Sequence, residues 1–350
     1  MELKRNKIML HVCGGAAMSC VEKSLKPLLL LGDGFAEFSF SYIDSSRNNY
    51  DNIEHNGPFF LLQRKSNAAN EIMGSGGERS TNATDIAANI GDYLDSLKIT
   101  TKKAGEFHIV LASGSGGTGN VIQFMLIKEL LKKDIPVVAF MIGDSSDMLK
   151  NSNTKNALAS LSSMVTKSNK TLLLYFINNT SMGKSITENE AMANEKIKNS
   201  LAVLATFLSG QNESIDPMDM DVFINQHNYK TTKIQPGIYI VVFQTGNDFK
   251  MPKTSVPTIA RTLSIGDQEV SFDLKVLHHK AGKIICEDAI STFEGQSPIH
   301  MIATSGTLND EIKKLTDTHN MFVDLQNKMT NAMYTPTEQA VEDEDTGLIL

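Results

Sequence analysis

The sequence contains no tryptophan, and only three cysteines and nine prolines in 350 residues. Cys13, Cys20 and Cys286 are odd in number and lack metal-ligand spacing, which argues against a disulfide framework and for reduced thiols. No apolar run approaches the roughly 20 residues needed to cross a bilayer, so no membrane partner is expected. Positive charge is not in excess either: 33 Lys and Arg stand against 40 Asp and Glu, for a net charge of −7. Generic nucleic-acid binding therefore has no electrostatic support. Five of the acidic side chains, Glu338, Glu342, Asp343, Glu344 and Asp345, fall in residues 329–350 with no basic residue among them. The start MELKRNKIML passes from a basic patch into an apolar run without a small-residue cleavage site, so no signal peptide and a cytoplasmic location are expected. What remains is an ordinary globular composition, 41% hydrophobic and 21% charged, with length for about two domains.

Glycine, by contrast, is concentrated. Residues 107–144 read FHIVLASGSGGTGNVIQFMLIKELLKKDIPVVAFMIGD. The pattern predicts a strand at 108–112, a loop broken by Gly114, Gly116, Gly117 and Gly119, a helix at 121–133 and, after Pro136, a buried parallel strand at 137–142. A glycine loop at a helix start lets backbone N–H groups converge on an anion at the positive end of the helix, and phosphate is the natural ligand. Gly114, Gly116 and Gly119 satisfy G-x-G-x-x-G, and Asp144 ends the next strand where a ribose-binding carboxylate would sit. An NAD-binding Rossmann oxidoreductase is thus one reading. The loop lacks a P-loop lysine, which argues against a Walker-type ATPase. A glycine turn that serves only helix packing is the bland alternative.

Other stretches repeat the theme. A strand at 7–12 ends in Gly14-Gly15 before a helix reaching Lys26, and residues 35–43 alternate like a strand and are followed by Asp44. Residues 71–79, EIMGSGGER, carry Gly74, Gly76 and Gly77 ahead of a helix at 85–97. A helix at 147–166 and a strand at 171–177 lead to Asn179, and Asn194 lies early in a long amphipathic helix at 188–210. The acidic run NESIDPMDMD follows, with Asp216, Asp219 and Asp221. Beyond it the pattern predicts a strand at 238–245, a short helix near 256–263, strands at 270–278, 283–286 and 300–304, and a helix at 307–335. His278 and His279 would face opposite sides of a strand and cannot share one metal.

Taken whole, SGSGGTGN resembles the G-G-G-T-G-S/T-G signature of the tubulin and FtsZ superfamily of filament-forming GTPases, and Asp216 and Asp219 match the FtsZ pattern N-x-D-x-x-D. The resemblance covers most of the chain. It implies an α/β fold: a Rossmann-like parallel-sheet GTPase domain (1–187), a long central helix (188–211), a smaller second α/β domain (212–306), a C-terminal helix (307–335) and an acidic tail (336–350). The implied ligands are GTP/GDP and Mg2+. Phosphate contacts would come from Gly14, Gly15, Gly74, Gly76, Gly77, Gly114, Ser115, Gly116, Gly117, Thr118, Gly119 and Asn120, with Asp44 near the phosphates or the bound metal. Asp144 would meet the ribose, and Asn179 and Asn194 the guanine edge. Asp216 and Asp219 would act as catalytic carboxylates on the nucleotide of a neighbouring subunit in a homopolymer. Ser115 replaces the first signature glycine and Asn120-Val121 its end. That loosened signature, with the acidic tail, resembles the phage-encoded tubulins of the PhuZ type, whose cargo would be a phage nucleus, capsid or DNA in the host cytoplasm. Plasmid-segregating TubZ proteins are the next resemblance. FtsZ itself is more distant, since its long linker and tail peptide are not apparent.

Overall fold

The computed structural model describes residues 5–54, 56–64, 77, 79, 82–181, 185–228, 234–247, 251, 255–268 and 270–334. Gly74, Gly76 and the tail at 336–350 lie outside the described residues. In chain order the elements are β1 (Lys7–Cys13), α1 (Gly15–Cys20), β2 (Glu37–Asp44), α2 (Asn48–Asp51), β3 (Phe59–Leu61), α3 (Ala83–Ser96), β4 (Glu106–Ser113), α4 (Thr118–Lys132), β5 (Val137–Gly143), α5 (Met148–Lys167), β6 (Thr171–Asn178) and α6 (Ile186–Leu208). They continue with α7 (Pro217–Ile224), β7 (Gly237–Thr245), β8 (Val256–Ile265), β9 (His278–Ile284), α8 (Glu287–Thr292), β10 (Ile299–Ser305) and α9 (Thr307–Tyr334).

The strands form one sheet in the order β3-β2-β1-β4-β5-β6-β7-β10-β8-β9. Pairing is parallel throughout except around β10, which runs antiparallel to both β7 and β8. The join between the two halves is short, with Thr171–Leu174 of β6 beside Gly237–Ile240 of β7. Central strands read as continuous apolar runs because helices cover both faces. In β4, Phe107, Ile109 and Leu111 turn to the face covered by α1, α6 and α7, and Val110 and Ala112 to the face covered by α3, α4, α5 and α9. The expected stripe on α6, with Ile197, Leu201, Leu204 and Leu208, is buried. Ser185 caps α6 by accepting from the Glu188 N–H.

Three local expectations are corrected. Residues 256–263, expected as a short helix, belong to β8, because their backbone finds partners on both sides in β10 and β9. The strand expected at 270–278 begins instead at His278, and β9 ends at Ile284, so residues 285–286 lead into α8 rather than extend a strand. The helix expected to reach Lys26 stops being regular after Cys20: a wider turn spans Val21–Leu25 and a 3₁₀ turn with Pro27 spans Lys26–Leu30. His278 and His279 do diverge. His278 bonds the Arg261 guanidinium, whereas His279 bonds the Thr262 hydroxyl and stacks on Phe272.

Candidate functional site

Because β2, β1, β4, β5 and β6 are parallel neighbours, the loops after their carboxyl ends share one edge, the usual place for a ligand in an open α/β sheet. The loops after β1 and β4 meet there backbone to backbone. Gly14 has a φ of 80°, and a Cβ on it would stand 2.9 Å from the Cα of Gly119. A Cβ on Gly119 would stand 2.7 Å from the carbonyl oxygen of Cys13. Neither position accepts a side chain without moving the other loop. Gly15 opens α1 with the Asn49 side chain lying against it. Gly116 differs from all of these, since a Cβ there would meet nothing within 4 Å among the described residues. It faces open space.

Asparagine amides shape this loop from behind. Asn120 donates from Nδ2 to the carbonyl oxygens of Gly114, at 3.0 Å, and Gly116, and its Oδ1 accepts from Arg79 Nε at 3.1 Å. Asn153 donates from Nδ2 to Ser115 O at 3.0 Å and to Gly77 O at 2.8 Å, tying the third glycine loop to the signature loop. A planar trans peptide points its N–H opposite to its C=O. With Ser115 O and Gly116 O turned to these amides, the N–H groups of Gly116 and Gly117 point away from them. Gly117 caps α4 without a capping side chain, so the positive end of the helix, at Thr118, adds to the same place.

Charged groups flank the loops. Asp44 is 3% exposed, with Oδ1 accepting the Ser45 N–H at 2.7 Å and Oδ2 the Asn49 amide at 2.9 Å. Burial pushes its carboxyl above the ordinary range in spite of those bonds. The Ser45 hydroxyl lies 3.5 Å from that of Thr118. Asp144 follows β5 and accepts from Ser146 N at 2.8 Å and Thr180 Oγ1 at 3.1 Å, with the Lys150 ammonium 3.2 Å away. Burial would raise its pKa, but the Ser146 hydrogen bonds and the Lys150 charge together hold it below the ordinary range. Asn179 begins the 3₁₀ turn Asn179–Ser181, which packs against α6, and Asn194 is buried in that helix. From Asp44 on β2 to Asn179 after β6 is four strand spacings, roughly 19 Å.

Asp216 and Asp219 are not brought to this edge. They form a capping box at the start of α7: Asp216 Oδ1 accepts from Asp219 N at 2.8 Å, and Asp219 Oδ2 from Asp216 N at 3.0 Å. Asp221, one turn into the same helix, pairs with Lys102 at 2.6 Å, and Lys102 lies ahead of β4. The first turn of α7 also borders residues 102–107 and Pro136, at the amino ends of β4 and β5. An eight-residue strand such as β4 measures roughly 25 Å. The glycine loops and the carboxylate pair therefore occupy opposite poles of the sheet.

No family model matches the sequence, and no curated protein matches it. Solved structures do. The phage tubulin PhuZ with GDP superposes with a TM-score of 0.74 at 18% identity, covering 98% of this chain and 99% of that one. A protofilament of TubZ from bacteriophage PhiKZ gives 0.72 at 18% identity over 97% and 96%. The chain has the tubulin/FtsZ fold. An FtsZ mutant from M. jannaschii is a further match, at 0.58 and 12% identity over 86% and 90%.

On this tubulin-like frame, the described candidates Gly14, Gly15, Asp44, Gly77, Gly114 to Asn120, Asp144 and Asn179 gather along one edge. Asn194 stands on the helix behind the Asn179 turn. Asn120 faces inward, its side chain spent on bracing the loop. Asn153 was missed. A clue lies in α5, where Asn153 falls one turn before Ala157 among the buried positions that continue with Leu158, Leu161 and Val165. Asparagine on an apolar stripe marks a committed hydrogen bond. Also missed is the pair that holds Asp219: the Lys280 ammonium bonds its Oδ2, and buried Arg261 donates from Nη2 to its carbonyl oxygen at 2.9 Å. No local signal marks either residue.

Proposed function

We propose that the chain binds GTP along the edge formed by β2, β1, β4, β5 and β6, polymerises head to tail, and hydrolyses GTP at each junction between subunits. The observation that carries this reading is the polar separation: phosphate-type loops at one end of the sheet and the Asp216–Asp219 pair at the other, roughly 25 Å apart along β4. Within one chain those groups cannot meet. Stacked in one direction, the acidic pole of each subunit lies over the loop pole of the next, so each site is completed by a neighbour and the assembly extends as an open filament.

In such a junction the N–H groups of Gly116 and Gly117 and the start of α4 hold phosphate oxygens. Asp144 takes the ribose, and Asn179 and Asn194 offer amides to the guanine edge. The neighbour's Asp219 orients a water whose oxygen attacks the γ-phosphorus. The bond to the β–γ bridging oxygen breaks, GDP leaves, and the water's proton passes through the carboxylate to solvent, giving inorganic phosphate. Asp44, buried and with no basic partner among the described residues, suits a cation held chiefly by the phosphates. Mg2+ would neutralise phosphate charge there. The biological setting we propose is a phage-encoded filament in a bacterial cytoplasm that moves phage DNA or a phage nucleus, and the acidic tail would strengthen contacts between subunits.

The test is sedimentation with GTP, GDP and NAD side by side, with phosphate release recorded. Polymer should form with GTP, and turnover per subunit should rise with protein concentration. Equal turnover in dilute monomer, or NAD binding without polymer, would overturn the proposal.

A further inference from the structure

Asp219 is held from two sides by residues of the second half of the sheet. Arg261 on β8 and Lys280 on β9 are register partners, so their side chains rise from adjacent strands on the same face. Arg261 is fully buried beneath α7. Its Nη1 donates to Ala260 O at 2.9 Å and meets His278 Nδ1 at 3.1 Å, its guanidinium lies 5.6 Å from the centre of the Phe223 ring, and its Nη2 reaches the carbonyl oxygen of Asp219. That fixes the backbone at the first turn of α7. Lys280 fixes the side chain: its ammonium bonds Asp219 Oδ2, the same oxygen that accepts the Asp216 N–H. With Oδ2 bonded twice, Oδ1 is the oxygen left for a further partner. The Lys280 side chain is only 34% exposed and that of Asp219 18%, so this pair is shielded more than an ordinary surface ion pair.

We infer that Lys280, backed by Arg261, is the positioning residue of the trans-acting carboxylate: it fixes which oxygen of Asp219 faces the next subunit's terminal phosphate. The inference rests on the GTPase reading above. Lys280 keeps Asp219 ionised and immobile, as a group that must orient a water across a subunit junction has to be. Four charged or titratable groups surround the carboxyl: Lys280 and His278 from β9, Arg261 from β8, and Asp216 from its own turn. Burial alone would raise the Asp219 pKa, and the Lys280 hydrogen bond, the Asp216 N–H and the Lys280 and Arg261 charges bring it below the ordinary range. Removing the ammonium leaves the desolvation in place. The carboxyl would then titrate higher.

The experiment compares full-length wild type, Lys280→Met, Lys280→Arg and Asp219→Ala for GTP binding, GTP-dependent sedimentation and phosphate release per sedimented subunit across pH. Lys280→Met should bind GTP and polymerise, yet release phosphate roughly ten- to a hundredfold more slowly. Its acid limb should move up by roughly one to two pH units. Lys280→Arg should restore most of the rate and the wild-type limb. Lys280→Met with a wild-type rate and limb, while Asp219→Ala is slow, overturns the positioning role and leaves the trans-carboxylate reading standing. A wild-type rate in Asp219→Ala sinks the reading itself. If Lys280→Met does not polymerise alone, it is mixed into wild-type filaments as a minority: loss of turnover in proportion to its share supports the role, and no loss refutes it.

Discussion

At one pole of the sheet the candidate phosphate contacts are backbone groups, held by asparagine amides behind Gly114, Ser115, Gly116 and Gly77. At the other pole they are side-chain charges, with Asp219 gripped by Lys280 and Arg261. The first arrangement admits no substitution where loops touch but needs no ionisable group. The second tolerates changes of shape but depends on charge. A backbone cradle is set by conformation and a carboxylate by electrostatics, so the two ends should fail differently.

The largest expected effect lies where the loops touch. Gly119→Val would drive a branched side chain into the Cys13 carbonyl and Gly14, costing about 3 kcal/mol of stability, with GTP binding lost as the cradle deforms. A melt at the wild-type temperature would break the contrast drawn between the poles.

The next effect is in pH. Between the sheet and α3, His11 Nε2 lies 3.0 Å from His108 Nδ1, and His11 Nδ1 lies 2.7 Å from the Tyr93 hydroxyl, which meets Ser41 at 2.6 Å. Burial first, and then the neighbouring charge, lowers both imidazoles, His108 to about 4. Their folded pKa values lie below the unfolded one, so the unfolded chain takes up protons first as pH falls. Stability is full above about pH 6.5 and is lost toward pH 4, by about 3 kcal/mol for His108 alone. Urea midpoints at pH 7 and pH 4.5 measure this, and His108→Gln should flatten the slope. An unchanged slope would remove the imidazole pair from the account.

Gly116→Val sharpens the comparison, because a Cβ there meets no atom of the described residues within 4 Å. The fold should be untouched and GTP affinity should drop by about 2 kcal/mol, roughly thirtyfold, in a titration of the monomer. Full affinity would move the phosphates elsewhere. The smallest effect belongs to Asp221→Ala. It breaks the Lys102 pair, for about 0.5 kcal/mol, and touches no group of the Asp219 clamp, so hydrolysis per polymerised subunit should match wild type. A large rate loss would place Asp221 beside Asp219 in the chemistry.

The same contrast explains what could be read in the sequence. Strand, glycine loop and helix follow one another locally, so β1, β4, β5 and their loops are legible, as is the buried stripe of α6. The helix expected near 256–263 is in fact β8, whose identity is decided by its neighbours β10 and β9 and not by its own ten residues. Asp216 and Asp219 are recognisable by spacing. Lys280, 61 positions beyond Asp219, is not: only the pairing of β8 with β9 and the seating of α7 bring them together. Local chemistry leaves a local trace in sequence, and contacts assembled across a fold leave none.

The ten-stranded sheet has a mechanical consequence. Its parallel strands run from the acidic pole toward the loop pole, so in a head-to-tail polymer they would lie along the line of tension. Load then passes along covalent chain and across ladders of hydrogen bonds in shear, where many must break at once. Apart from the three-pair edge join of β3 to β2, the β6–β7 join, four residue pairs long, is the shortest and is the weak seam inside the sheet. A pulled filament should part at its junctions before its subunits stretch, and a subunit that yields should split between β6 and β7.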